Sequence, residues 1–448
     1  MEGQSLTQGN VYKVLVRFAI PFMLANVLQI LYGATDLFVV GHFATTADVS
    51  AVSIGSQIMH TITQFVLGLT TGVTVLLGQY SGGRREGEMA KTVGTSVLLF
   101  SLAALLITLP LLALRESIVA VMNTPLKAVD ATLQYLTVCL SGTVFIVGYN
   151  VISGILRGMG DSKTPLLFVA VACFINVTLD FILVKYVHLG ALGAAIATVA
   201  AQAGSLFFAL FYLWRKGLGF AFSRKDVRLH RVHVEKILKI GAPIALQNCL
   251  IGISFLIITK VVNQMGLTAS AGVGVVEKLI EFLMVPAIAL GAAVAAMSAQ
   301  NFGAGEFARA KKCLHGGIAI SLTFAVFISI FCWFQGILLT GLFTTDPEVA
   351  QAAALYLKTY SLDCLMVSFV FNINGYLSGC NHSLFSMIHS LLSTFAIRIP
   401  ATIFLGQIEG VTLTVMGCAS PLSTLFSVVL CIFYLSWLNR QGDEKLIG

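Results

Sequence analysis

The sequence predicts an all-α polytopic membrane protein of twelve transmembrane helices in two parallel six-helix repeats. Three observations carry this. Apolar residues make up 57% of the chain and charged residues only 10%, a balance foreign to ordinary soluble domains. Apolar runs of about 20 residues recur from end to end, each long enough to cross a bilayer as a helix. The second half of the chain repeats the first at one offset. An outer-membrane barrel is excluded, because it would show short alternating segments.

The helices are expected near 14–40, 50–78, 93–114, 134–156, 165–186, 190–214, 237–262, 269–297, 313–338, 353–378, 385–406 and 411–438; we number them 1 to 12. The opening MEGQSLTQGN lacks the basic stretch and cleavage site of a signal peptide, so helix 1 is expected to remain in the membrane. The nine cysteines are scattered with no CxxC pair, against a disulfide framework or a zinc site.

The net charge of +7 does not indicate a nucleic-acid partner, because the bases fall in alternate loops. Loops after even-numbered helices hold Arg84, Arg85 and Lys91, then Arg157 and Lys163, then the run 215–236, then Arg309, Lys311 and Lys312; the tail adds Arg440 and Lys445. Loops after odd-numbered helices hold Arg115, Lys127 and Lys185 against Asp48, Glu116, Asp130, Asp346, Glu348 and Glu409. The positive-inside rule then puts both termini in the cytoplasm. The basic run RKGLGFAFSRKDVRLHRVHVEK (215–236) is expected to be a linker lying on anionic headgroups. It separates an N-terminal lobe, 1–214, from a C-terminal lobe, 237–448.

The repeat is legible residue by residue. Pro21 and Asn26 match Pro243 and Asn248; Gln79 and Gly82 match Gln300 and Gly303. Thr124-Pro125 matches Asp346-Pro347, and Leu156 and Gly158 match Leu377 and Gly379. Every pair lies 221 or 222 residues apart. Six helices per repeat is an even number, so both repeats enter the membrane from the same side, as in a transporter.

LRGMGDSKTP (156–165), the paired GQYSGG and AQNFGAG after helices 2 and 8, and RIP (398–400) together resemble the multidrug and toxic compound extrusion (MATE) family, with DinF-like and MepA-like bacterial exporters as the nearest branch. The resemblance spans essentially the whole chain. It implies a V-shaped pair of six-helix lobes in a bacterial cytoplasmic membrane and Na⁺- or H⁺-driven antiport. It also implies export of amphipathic, mostly cationic organic compounds. The loop motifs read physically as well: Thr164 is a good N-cap with Pro165 in the first turn, and Asp346 caps helix 10 in the same way.

Five carboxylates sit inside apolar helices: Asp36, Asp180, Glu277, Glu281 and Asp363. An ionised group at mid-bilayer costs about 2.5–3.5 kcal/mol on insertion scales, so such residues face a bundle interior and carry function. On helix 1, Asn26, Gln29, Gly33 and Asp36 share one face, which should meet a water-filled cavity. Asn176 and Asp180 lie one turn apart on helix 5, and Thr198 and Gln202 one turn apart on helix 6. Two carboxylates, an amide oxygen and a hydroxyl suit a hard cation such as Na⁺, or a proton shared between the acids. An interhelical hydrogen-bond cluster that only packs the lobe is the plainer reading.

The resemblance implies that Asp36, Asn176, Asp180 and Thr198 are the coupling-ion site. The repeat argues the same way. Asn176 and Asp180 fall on Ile397 and Ala401, and Asp36 on Ile257 or Ile258, so the second lobe keeps the scaffold without these ligands. A possible substrate cavity takes in Gln29, Tyr32, His60, Gln64, Asn150, Gln202, Glu277, Glu281, Asp363 and Asn372. Lys260, Lys278 and Arg398 are available to pair with the acids of the second lobe. Pro21 removes an intrahelical hydrogen bond and is the expected hinge of helix 1.

The expected function is therefore a cation-coupled exporter working by alternating access, with no cofactor beyond the coupling ion; a monomer suffices. A flippase for lipid-linked precursors shares the architecture, but a pyrophosphate would want an Arg-rich cavity. No filter sequence suggests a channel, and no metal-ligand set, nucleophile elbow or P-loop suggests an enzyme.

Overall fold

The structure is a computed structural model that describes residues 6–408 and 410–441. Glu409 and Lys445, counted among the loop charges above, lie outside the described residues. Ten helices are long and apolar enough to cross a membrane, and two bent pairs bring the total to twelve spans among the described residues. In order they are Val11–Phe43, Thr46–Gly82, Glu86–Ala113, Leu126–Ser141 with Thr143–Gly158, Lys163–Tyr186 and Gly190–Lys216. The second six are Arg231–Asn263, Val285–Gly303, Phe307–Thr340, Pro347–Tyr360 with Asp363–Gly379, Ser383–Gly406 and Leu413–Gln441. The chain is thus a multi-pass membrane protein. Its outward faces need lipid: Leu106, Phe174, Phe327, Phe334 and Phe433 are each at least 70% exposed.

Helices 4, 8, 10 and 12, expected to be continuous, are interrupted among the described residues, helix 12 at Gly417-Cys418 between Leu413–Met416 and Ala419–Gln441. Helices 4 and 10 bend by 43° and 50° at matching points of the two repeats, after Ser141 and after Tyr360. Helix 8 is Leu267–Leu283 followed by Val285–Gly303. Pro286 explains that break, since its ring cannot continue the preceding turn.

The chain divides into two compact units: Leu24–Ala245 in unit 1, and Leu6–Met23 with the chain from Leu246 onward in unit 2. This line differs from boundaries drawn at the linker. The first part of helix 1 is in unit 2 and the first part of helix 7 is in unit 1, and each changes unit two residues after its proline, Pro21 or Pro243. Burial explains the allocation. Leu6, Val11, Leu15 and Phe18 join the apolar core built from Leu290, Val294, Met297 and Leu377. Ile237 joins the core of Val66, Val73, Leu77 and Leu156.

The linker is shorter than read from sequence, because helix 7 begins at Arg231. It is also docked. Thr95 Oγ1 on helix 3 donates to Arg228 O (3.0 Å) and accepts from His230 N (3.3 Å). His233 Nε2 lies 3.1 Å from Glu88 Oε2. The helix 5 cap also corrects the sequence reading: the capping side chain is Asp161, not Thr164. Asp161 Oδ1 accepts from the backbone N–H groups of Lys163 and Thr164, both at 3.0 Å. DSKT offers several capping side chains, and Asp161 is the one whose oxygens reach the free N–H groups of the first turn. Asp346 caps helix 10 as expected, accepting from Glu348 N at 2.9 Å.

At the start of helix 2, Thr45 and Asp48 form a reciprocal capping box. Asp48 Oδ1 also accepts from Ala191 N (2.9 Å) at the start of helix 6. Asp48→Ala therefore loses a cap and an interhelical tie. A hydrogen bond to a charged group is worth about 1.5–3 kcal/mol, so thermal unfolding in detergent should begin several degrees lower, with Asp48→Asn intermediate.

Candidate functional site

Unit 1 brings the four proposed ligands together. Asp36 comes from the second part of helix 1, Asn176 and Asp180 from helix 5, and Thr198 from helix 6. Asp36 is 5% exposed and Asn176 and Asp180 are fully buried. Thr198 Oγ1 donates to Asp36 Oδ2 at 3.1 Å, and Asn176 Nδ2 reaches Thr198 Oγ1 at 3.5 Å. Asp36 also interacts directly with Asp180.

The oxygens decide what the cluster can hold. Asp36 Oδ1, Asn176 Oδ1 and both oxygens of Asp180 are buried with no hydrogen-bond donor. A buried acceptor without a partner costs about 1–3 kcal/mol, and more when charged. Four such oxygens in one cluster are a poor packing device and a good fit for something that supplies positive charge. The donor set is all oxygen and hard, so a proton or a small alkali cation fits it; a soft transition metal does not. Among the described residues no three His, Cys, Asp or Glu side chains come together to hold a metal ion.

The local backbone places Asp180 at a boundary. Helix 5 is α-helical through Asp180 and continues as a π-turn over Phe181–Tyr186. Such widened turns occur often at functional sites, because they redirect side chains without ending the helix. Nothing in the sequence signals it.

Polar residues extend from the acids. Gln202 Nε2 donates to Tyr32 Oη at 3.3 Å, and the Tyr149 hydroxyl interacts with Gln29 and Ser153. Nothing in the sequence marks Tyr149, because a tyrosine in an apolar run reads as packing. Asn150 is buried and its amide donates back to Ile146 O at 2.8 Å. On helix 2, Gln64 Nε2 and His60 Nε2 lie 3.0 Å apart.

The polar residues of unit 2 do not converge in the same way. Glu281 is exposed and lies 3.4 Å from Lys278. Glu277 accepts from Thr259 Oγ1 at 3.3 Å, and Asp363 accepts from Ser420 Oγ at 2.8 Å. Asn372 is fully buried and donates to Ser368 O at 2.7 Å.

Comparison with known proteins places this architecture. The MatE family model matches the chain twice, over residues 21–182 and 243–404, so the two matches carry the same 222-residue offset as Pro21 and Pro243. The chain is 30% identical over 451 residues, covering 100% of it and 99% of the relative, to the probable multidrug resistance protein YpnP of Bacillus subtilis. It is 24% identical, covering 98% of it and 95% of the relative, to the multidrug export protein MepA of Staphylococcus haemolyticus. Its fold matches that of a multidrug resistance MATE family transporter of the MOP superfamily solved in an outward-facing conformation, with a TM-score of 0.91, 20% identity, and 98% and 99% of the two chains covered. With the double match covering both repeats and the twelve-span fold, the chain belongs to the MatE family of multidrug and toxic compound extrusion transporters.

Proposed function

We propose that this protein is a secondary exporter of amphipathic, mostly cationic organic compounds, driven by antiport of Na⁺ or H⁺ through alternating access. It would sit in a bacterial cytoplasmic membrane with both termini inside. The observation that carries the reading is the buried, donor-poor cluster of Asp36, Asn176, Asp180 and Thr198.

The physics of that cluster makes it a switch. Two ionised carboxylates about 4 Å apart repel by about 4 kcal/mol at an effective dielectric near 20. Burying each adds a desolvation cost of several kcal/mol. The doubly ionised, empty site is therefore unstable as packed here and favours an arrangement that readmits water. One bound cation, or one shared proton, removes the repulsion and supplies the missing partner for the orphaned oxygens. Ion occupancy and conformation are thus coupled. Helix 1 is the element to transmit the change, because Asp36 lies on it and Pro21 interrupts its backbone ladder. An organic cation is disfavoured once the acids are neutralised, which gives exchange rather than co-transport.

Proteoliposomes with separately imposed Na⁺ and H⁺ gradients and a panel of fluorescent organic cations test this. Counter-directed movement of dye driven by one of the two gradients is expected. Dye movement independent of both would defeat the reading, and movement of a lipid-linked pyrophosphate in its place would favour a flippase.

A further inference from the structure

The acids of unit 1 sit on two helices whose far ends are clasped together. Asp36, Val40 and Phe43 share one face of helix 1, and Asn176, Asp180 and Val184 share one face of helix 5. At the level of the acids, helix 1 is tied to helix 5 by way of helix 6: Asn176 Nδ2 reaches Thr198 Oγ1, which donates to Asp36 Oδ2. Beyond the acids, Val39, Val40 and Val184 are fully buried in one apolar core. At the ends of both helices stands a set of rings around one cation. Lys185 Nζ lies 5.0 Å from the centroid of the Phe43 ring and 5.3 Å from that of the Tyr186 ring. The Phe43 ring meets Phe181 edge-on, with centroids 6.4 Å apart. Among the described residues Lys185 makes no ion pair, so aromatic faces take the place of a counter-ion.

Phe181 and Lys185 both belong to the π-turn that follows Asp180. The clasp therefore joins the end of helix 1 to the widened turn next to the acid of helix 5. The second repeat has no equivalent. At offsets of 221 and 222, Phe43 falls on Gln264 or Met265, and Lys185 on Gly406 or Gln407. Those positions supply neither ring nor charge, in the same half of the chain that lacks the counterparts of Asp36, Asn176 and Asp180.

We propose that Lys185 is a positioning residue for ion coupling. Through Phe43 it holds the ends of helices 1 and 5 together, and so keeps Asp36 and Asp180 in the arrangement that accepts a cation or a shared proton. Two buried carboxylates repel, so the empty site pushes that arrangement apart, and the clasp opposes the push without touching the ion. A protein that visits its competent arrangement less often binds its ion more weakly in proportion. Loss of the clasp therefore raises the ion concentration needed for half-maximal export and leaves maximal export near that of the wild type. This role presupposes the reading of unit 1 as the coupling site.

The test is ethidium export by the full-length protein in proteoliposomes, driven by graded Na⁺ concentrations and, separately, by graded pH steps. Lys185→Met and Phe43→Leu should each raise the half-maximal concentration of the driving ion about two- to thirtyfold, the span of a cation–π contact from exposed to desolvated. Lys185→Arg keeps a cation that stacks on rings and should stay near wild type. The double variant Lys185→Met, Phe43→Leu should shift no further than the larger single, because both remove one contact. In detergent, the NaCl concentration or pH that raises the melting temperature should move by the same factor. An unmoved half-maximal concentration in both single variants overturns the proposal, whether or not maximal export falls. A lower value for Lys185→Met overturns it too, because the lysine would then repel the ion and not position the acids. So does a Lys185→Arg variant as impaired as Lys185→Met. The unit 1 reading fails separately: wild-type export that depends on neither ion defeats it and this proposal together, whereas ion-driven wild-type export with unmoved variants defeats the clasp alone.

Discussion

Asp36→Asn and Asp180→Asn should each abolish ion-driven export while leaving a folded protein at least as stable as the wild type. Both substitutions keep volume, and an asparagine at 36 still accepts the hydrogen bond from Thr198. Only the negative charge goes. Removing one charge from a buried compensated set costs about 3–5 kcal/mol, which is roughly two to three and a half orders of magnitude in cation affinity. The ion-free protein, however, loses a repulsion and a desolvation penalty, so its melting temperature should hold or rise. This combination separates a coupling site from a packing cluster. If the polar residues only packed the unit, both variants would melt earlier and lose transport in proportion. Normal export by either variant would end the assignment. Thr198→Val, which removes one donor and no charge, should be milder, in the range of about tenfold.

How much of this was legible in the sequence differs by level. Fold class and span order follow from composition and apolar run length alone, because every backbone polar group in lipid must be satisfied within a helix. The four residues of the unit 1 cluster were legible for a related reason: an aspartate in an apolar helix is conspicuous, and residues four apart share a face whatever the tertiary structure. The bends of helices 4 and 10 were not legible. Neither has a proline at the break, where Gly142 and the pair Ser361-Leu362 stand. The exchange of helix segments at Pro21 and Pro243 was only half legible. A proline shows where a helix yields, while the unit each part joins depends on which core its apolar face meets. Arg398 was visible as an intramembrane base, but its partners Tyr360 and Phe255 were not, since an aromatic contact leaves no charge pattern to read.

The glycines of the repeat give the second large effect. Gly154 and Gly158 on helix 4 lie against Thr70 O and Thr74 O of helix 2. Gly375 and Gly379 on helix 10 lie against Gly291 O and Ala295 O of helix 8. Both glycines and both carbonyls recur at an offset of 221, so the Leu-x-Gly motif marks a close backbone approach built into each unit. Lipid offers no hydrophobic drive between helices, and association depends on such small-residue packing. At Gly375 an added Cβ would stand 2.2 Å from Gly291 O, a backbone atom that no rotamer change can move. Gly375→Val must therefore part helices 8 and 10, with a cost well above the roughly 1–3 kcal/mol of ordinary overpacking. We expect no monodisperse protein from this variant, and a smaller loss from Gly154→Val, where the nearest atom, Thr74 Oγ1, is 3.2 Å away. Gly33 supplies the control, because nothing lies within 4 Å of an added Cβ there, and Gly33→Ala should purify and melt like the wild type. Size-exclusion profiles and thermal unfolding in detergent read all three, and a well-folded Gly375→Val protein would show that helices 8 and 10 do not meet as closely as their backbones do here.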